Sequence, residues 1–310
     1  MRKVIFNSIN KVRPIWRLFL FIAITFSINI PLQVLLQKIM PQGLLRGYIS
    51  ASIYLLSVLT SLYIQVKYLD KSSFKKYGLR INKIWMKEFS FGFLIPIIQL
   101  SLFFMFLYLT GNLTIVNFFT TSSPDYSFIG AFISEFFGLI IGSSVEEIFF
   151  RAFLFYIVYE ALRTFKKDPV KRALIILFLI APLFGIAHID NTGASVMSTI
   201  NLGLDAIIMC LPFLITSRLG MSIGMHLSWN LFQGAVFGFP VSGNITKASI
   251  MTVHTTDNII SGGAFGVEGS ILFVLLDVIA IALILYWKKH YNFKNIVNPA
   301  IDKNYKAYIV

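Results

Sequence analysis

Three short segments concentrate the groups that could activate water for hydrolysis. In Glu146-Glu147-Ile148-Phe149-Phe150-Arg151, Glu147 and Arg151 are spaced to meet on one helical face. Glu146 is turned about 100° away and need not be consumed by that pair. In Phe184-Gly185-Ile186-Ala187-His188 the imidazole shares a helical face with Phe184. In His226-Leu227-Ser228-Trp229-Asn230 an imidazole and an amide leave one face together. Hydrolysis needs a base for water, groups to hold that water and donors for the developing oxyanion, and these segments supply all three. A metal route uses the same residues, because Glu146, His188 and His226 could complete a catalytic zinc site with one open position. No HExxH occurs, so a zincin helix is excluded. Each segment also has a plainer reading: a self-neutralising charge cluster, an interfacial histidine, and a hydrogen-bonded pair between helices.

These residues sit in a chain built for lipid. Of its 310 residues, 56% are hydrophobic and 13% charged, about half the charge of an ordinary soluble domain. With a mean hydropathy of +0.76 and apolar runs of span length, this excludes a soluble enzyme, a disordered chain and an outer-membrane barrel. The lone Cys210 lies in an apolar run, which rules out an internal disulfide or a Cys-based zinc site. The pattern predicts an all-α polytopic bundle, one integral membrane domain over 1–310, with eight spans. They fall near 16–37, 48–67, 89–110, 127–162, 172–189, 196–217, 219–238 and 269–287.

The basic residues test this segmentation. Arg2, Lys3, Lys11, Arg13 and Arg17 precede the first span, while only Lys38 and Arg46 lie near the next connection. Seven follow the second span, from Lys67 to Lys87, and none falls between 111 and 126. Arg163, Lys166, Lys167, Lys171 and Arg172 follow the fourth, and none falls between 189 and 195. Arg218, Lys247 and five closing lysines complete the rich-poor alternation, which places both termini in the cytoplasm. The formal charge of +13 therefore reports topology, not nucleic-acid binding.

Ionisable groups inside a bilayer need a partner or a function; here they are Glu135, Glu146, Glu147, Arg151, His188, Asp205, His226 and Asp277. The fourth segment is too long for a simple span, which predicts a break at Gly142-Ser143-Ser144 and a cytoplasmic projection through Glu160 and Arg163. By helical rise, Glu146 lies about 25 Å from Arg163, His188 about 24 Å from Arg172 and His226 about 12 Å from Arg218. A common site then requires tilt, a broken fourth helix or a protruding end. Gly138-xxx-Gly142, Gly220-xxx-Gly224 and Gly234-xxx-Gly238 predict close helix contacts. Gly262, Gly263, Gly266 and Gly269 predict mobile or tightly turned backbone in the outer loop 239–268.

The order EExxxR, FxxxH, HxxxN resembles the CPBP (CAAX protease and bacteriocin-processing, or Abi) family of intramembrane proteases, relatives of the type II CAAX prenyl proteases. The residues carrying it are Glu146, Glu147 and Arg151; Phe184 and His188; His226 and Asn230, within a core of about 127–238. The glycine-rich stretch 262–269 is similar to one before the final span of bacterial members. Ala152 stands where many relatives have Gly, a packing change. The resemblance implies a membrane endopeptidase, metallo or glutamate type, in which Glu146, His188 and His226 are essential. Asn230 then serves as oxyanion donor, with Glu147, Arg151 and Phe184 supporting the site. It implies a membrane-associated peptide or protein substrate, a plasma-membrane location, possible use of one zinc ion, and for some bacterial relatives bacteriocin immunity. High Ile, Lys and Asn usage points to a bacterial chain. The competing classes are a non-proteolytic immunity or scaffold protein of the same fold, and a transporter; the inverted repeat that commonly marks transporters is not evident.

Overall fold

Asn82, Ser127, Asp168 and Ser195 each start a long apolar helix in the same way. Their side-chain oxygens accept hydrogen bonds from the backbone N–H of Trp85 (3.0 Å), Gly130 (3.2 Å), Val170 (2.8 Å) and Ser198 (3.1 Å). These caps satisfy amides that the first helical turn leaves unpaired. The computed structural model describes residues 5–6, 12–162 and 168–301. The basic residues Arg2, Lys3, Lys11, Arg163, Lys166, Lys167, Lys303 and Lys306 lie outside them.

In chain order the helices are α1 (Pro14–Ile39), α2 (Leu44–Ile64, continued by a π turn Gln65–Leu69) and α3 (Lys83–Leu109). Strand β1 (Leu113–Thr121) follows. Next come α4 (Phe128–Glu147), a π segment Ile148–Leu154, α5 (Phe155–Ala161), α6 (Pro169–Ile186) and α7 (Val196–Thr216). Then α8 (Gly220–Asn230) runs on through a π segment Leu231–Val236, before β2 (Ala248–Thr255) and α9 (Phe273–His290). Six helical stretches among the described residues are long and apolar enough to cross a membrane: 14–39, 44–69, 83–109, 128–161, 169–186 and 196–216. The chain is a multi-pass helical membrane protein. Helix also occupies the seventh and eighth expected segments, but α8 is short and α9 carries Asp277, Lys288 and Lys289. Large apolar side chains such as Leu109, Phe178 and Leu275 face outward, where hydrocarbon solvates them.

The structure departs from the sequence reading in the fourth helix and in two connections. The fourth helix does not break at Gly142-Ser143-Ser144; helical hydrogen bonding continues there, and the irregularity is the π segment after Glu147. Glu160 pairs with Arg17, which also binds Asp70 at 2.8 Å, and Arg163 lies outside the described residues. The connections 111–126 and 239–268, expected as loops, pair as an antiparallel β1–β2 sheet with a bulge between Ile115 and Asn117. Their alternating, half-exposed pattern is short enough to pass for loop when read alone.

Of the three glycine pairs, only Gly220 and Gly224 join helices. A Cβ at Gly224 would collide with the Phe89 carbonyl, so α8 lies backbone-to-backbone on α3. Gly234 and Gly238 abut Thr246 and Met251 of the outer segment instead, and Gly138 and Gly142 face open space. The outer glycines are tightly turned: Gly262 and Gly266 take φ of +86° and +97° with no room for a side chain.

Candidate active site

Both histidine-bearing elements and the paired glutamates converge on one polar cavity of about 320 Å³. Glu146, His188, His226 and Asn230 all line it, as do Arg151 and Phe184. Two helices change character at the motif. In α4 the α-helical bonding ends at Glu147 and in α8 at Asn230, each followed by a π segment. Such widened turns recur at functional sites because they rotate the following side chains out of helical register. Buried Arg151 lies in the first of them.

Glu147 is fully buried and holds two partners on Oε1: Arg151 Nη1 at 3.2 Å and His226 Nδ1 at 2.9 Å. A carboxylate only accepts, so the His226 proton is on Nδ1 and Nε2 is presented to the cavity, 3.9 Å from Glu146 Oε2. His188 is not on the helix, as its spacing predicts, but on the turn after α6 ends at Ile186. Its Nδ1 donates to the Phe184 carbonyl at 2.9 Å, which again leaves Nε2 available. Phe184 is the common wall: it packs on the Arg151 guanidinium at 4.6 Å, the His188 ring at 5.1 Å and the His226 ring at 6.4 Å. The Glu146 side chain remains 36% exposed although it sits in the middle of a long helix.

The donors as placed do not assemble a metal centre: among the described residues no three His, Cys, Asp or Glu side chains converge closely enough to hold an ion. Glu147 is engaged by Arg151 and His226, whereas Nε2 of each histidine is left by the Nδ1 bonds to face the cavity beside Glu146.

Several cavity residues escaped the sequence reading. Glu268, in the glycine-rich stretch, is 2% exposed and lines the cavity. Its carboxylate accepts from Trp229 Nε1 (3.1 Å), Gln233 Nε2 (2.6 Å), and both the backbone N–H and the hydroxyl of Ser242 (3.4 and 3.3 Å). Burial raises its carboxyl above the ordinary range, and the Gln233 and Trp229 donors oppose that rise. Its signals in the sequence were that it is the one acid in a run of glycines and lies in the stretch 262–269 that the family resemblance covers. Asp205, noted as a costly intramembrane acid, also lines the cavity, with Asn191, Ser242 and Asn244. Of the other such acids, Glu135 accepts from the Lys247 backbone at 3.0 Å and Asp277 is buried on α9 away from the lining.

A helical membrane bundle with a polar, carboxylate- and imidazole-lined cavity is the class of protein defined by fold and site. Residues 128–232 match the family model Rce1-like, described as type II CAAX prenyl endopeptidase Rce1-like. That segment holds all three motifs and supports a CAAX protease of the CPBP family, as the resemblance implies. No curated protein and no solved structure is similar enough to the chain to match.

Proposed function

We propose that the protein is an intramembrane endopeptidase hydrolysing a peptide bond of a membrane-associated protein or peptide, with Glu146 as the base. The observation that carries this reading is the division of labour between adjacent glutamates. Glu147 is spent on Arg151 and His226, while Glu146 stays accessible beside the free Nε2 of His226. Glu146 takes a proton from water held with the help of His188, and the resulting hydroxide attacks the scissile carbonyl carbon. Asn230 donates to the oxyanion, and His226 donates beside it after taking a proton at Nε2 from bulk water before the substrate binds, a proton that stays on the ring throughout. Collapse breaks the C–N bond, and the proton on Glu146 passes to the leaving amine. A cavity of 320 Å³ lined by polar groups is roomy enough for ordered water, which needs about 30 Å³ per molecule.

The same reading takes the chain as eight crossings with both termini in the cytoplasm of a bacterial cell, in its plasma membrane, which the alternation of basic connections supports. The test uses purified protein in liposomes with a proteome-derived peptide library, cleavage read by mass spectrometry. Wild type should cut and Glu146→Gln should lose about 10²–10⁴-fold in rate. Equal cleavage by both would overturn the role of Glu146, and no cleavage by either would favour a non-proteolytic protein of this fold.

A further inference from the structure

We propose that Glu268, which lies outside the three motifs, is a positioning residue that fixes the Asn230 amide in the cavity by gripping the turn that carries it. The role given to Asn230 rests on the hydrolytic reading above; the grip on its turn does not.

Asn230 stands where its helix changes register. The α-helical bonding of α8 stops there and the π segment Leu231–Val236 begins. Across that junction the Leu231 N–H is shared between the carbonyls of Leu227 and Ser228. A π turn is rarely stable by itself, so contacts from the rest of the fold must hold this one. Glu268 supplies them on both sides of Asn230. Its Oε1 accepts from Trp229 Nε1 at 3.1 Å, one residue before, and its Oε2 from Gln233 Nε2 at 2.6 Å, three residues after. His226, one turn earlier, is held by Glu147 at 2.9 Å. Two carboxylates from distant elements thus set the rotation of one turn, and with it the direction of the Asn230 side chain.

Glu268 is itself tied to parts of the fold that α8 does not carry. Its backbone carbonyl accepts from Asn201 Nδ2 on α7 at 2.8 Å. Ser242 donates to its carboxylate twice, and the Ser242 carbonyl accepts from Asn191 Nδ2, in the turn that follows His188, at 2.8 Å. Gly266, with φ of +97°, lies against the Pro240 carbonyl, where a side chain would collide. Gln233 Nε2 donates to that same carbonyl. Four donors converge on the two carboxylate oxygens, so a glutamine of the same size would turn its NH2 group towards one pair of them.

The test is a double-mutant cycle between Glu268→Gln and Asn230→Ala, in liposomes, on a peptide that the wild type cuts. Glu268→Gln should lower kcat about 10–10²-fold, the effect of displacing a reacting group by about 1 Å, and change KM less than about threefold. In the Asn230→Ala background the same change should lower kcat less than about twofold, because the displaced group is gone. An unchanged kcat, an equal loss in both backgrounds, or a loss confined to KM would each overturn the proposal. If Glu268→Gln does not fold, Trp229→Phe takes its place with the same criteria; it removes one donor and keeps a ring against Phe273. A second measurement needs no cleavage. Hydrogen exchange of the backbone amides of 230–236, read by mass spectrometry, should be about tenfold faster or more in the variant than in wild type. Unchanged exchange would overturn the grip. Faster exchange in a protein whose wild type cuts no peptide would uphold the grip and sink the hydrolytic reading instead.

Discussion

Glu147 is a buried carboxylate with two partners in the candidate site. It binds Arg151 and orients His226 at once, so the loss of Arg151 would leave a buried charge with half its support. Breaking such a pair typically costs about 3–5 kcal/mol. Arg151→Ala is therefore expected to lower both the yield of folded protein and its thermal midpoint, measured in detergent, along with activity. Wild-type stability and rate would refute the assignment. Asn230→Ala should behave differently: a lost oxyanion donor costs about 10²–10³-fold in kcat, with the thermal midpoint unchanged. A drop in stability equal to that of Arg151→Ala would show that Asn230 holds helices together instead.

At the scale of elements, the candidate site depends on how α8 is clamped. One side is held by glycine contact with α3, the other by Glu268, which ties Trp229 of α8 and Gln233 of the following π segment to Ser242. Gly224→Leu should force α8 off α3 and abolish activity, whereas Gly138→Leu, at a position where an added Cβ meets nothing within 4 Å, should leave stability and rate unaltered. Thermal melts and cleavage assays on the two variants separate packing from simple bulk. Glu268→Ala removes the acceptor of four donors, and unsatisfied buried donors cost about 1–3 kcal/mol each. The expected outcome is a loosened 238–246 segment, seen as faster proteolytic nicking of that loop than in wild type.

For the molecule as a whole, the remaining question of mechanism is whether water is activated by Glu146 or by an ion. Among the described residues no three His, Cys, Asp or Glu side chains are grouped to hold an ion, and we propose Glu146 as the activator, with Asn230 as an oxyanion donor and not a ligand. Elemental analysis of the purified protein should find no stoichiometric zinc, and a tight chelator should leave peptide cleavage unchanged. Loss of cleavage on chelation, restored by added zinc, would reverse that conclusion.

The helical membrane character, the positions of the long apolar helices and the chemistry-bearing residues Glu146, Glu147, Arg151, His188, His226 and Asn230 were all legible in the sequence. Apolar run length and i,i+4 spacing are local properties, set by the bilayer and the helical repeat. Where the pieces meet was not legible. By helical rise the three motifs stand at unequal depths, and the sequence offered a broken fourth helix to reconcile them. The structure brings them together differently, by π turns after Glu147 and Asn230 and by placing His188 beyond the end of α6. The sheet between two distant connections and the Glu268 cage were decided only in three dimensions. Each depends on groups far apart in the chain, such as Trp229 with Glu268 and Leu113 with Thr255, whose pairing leaves no periodicity in either segment.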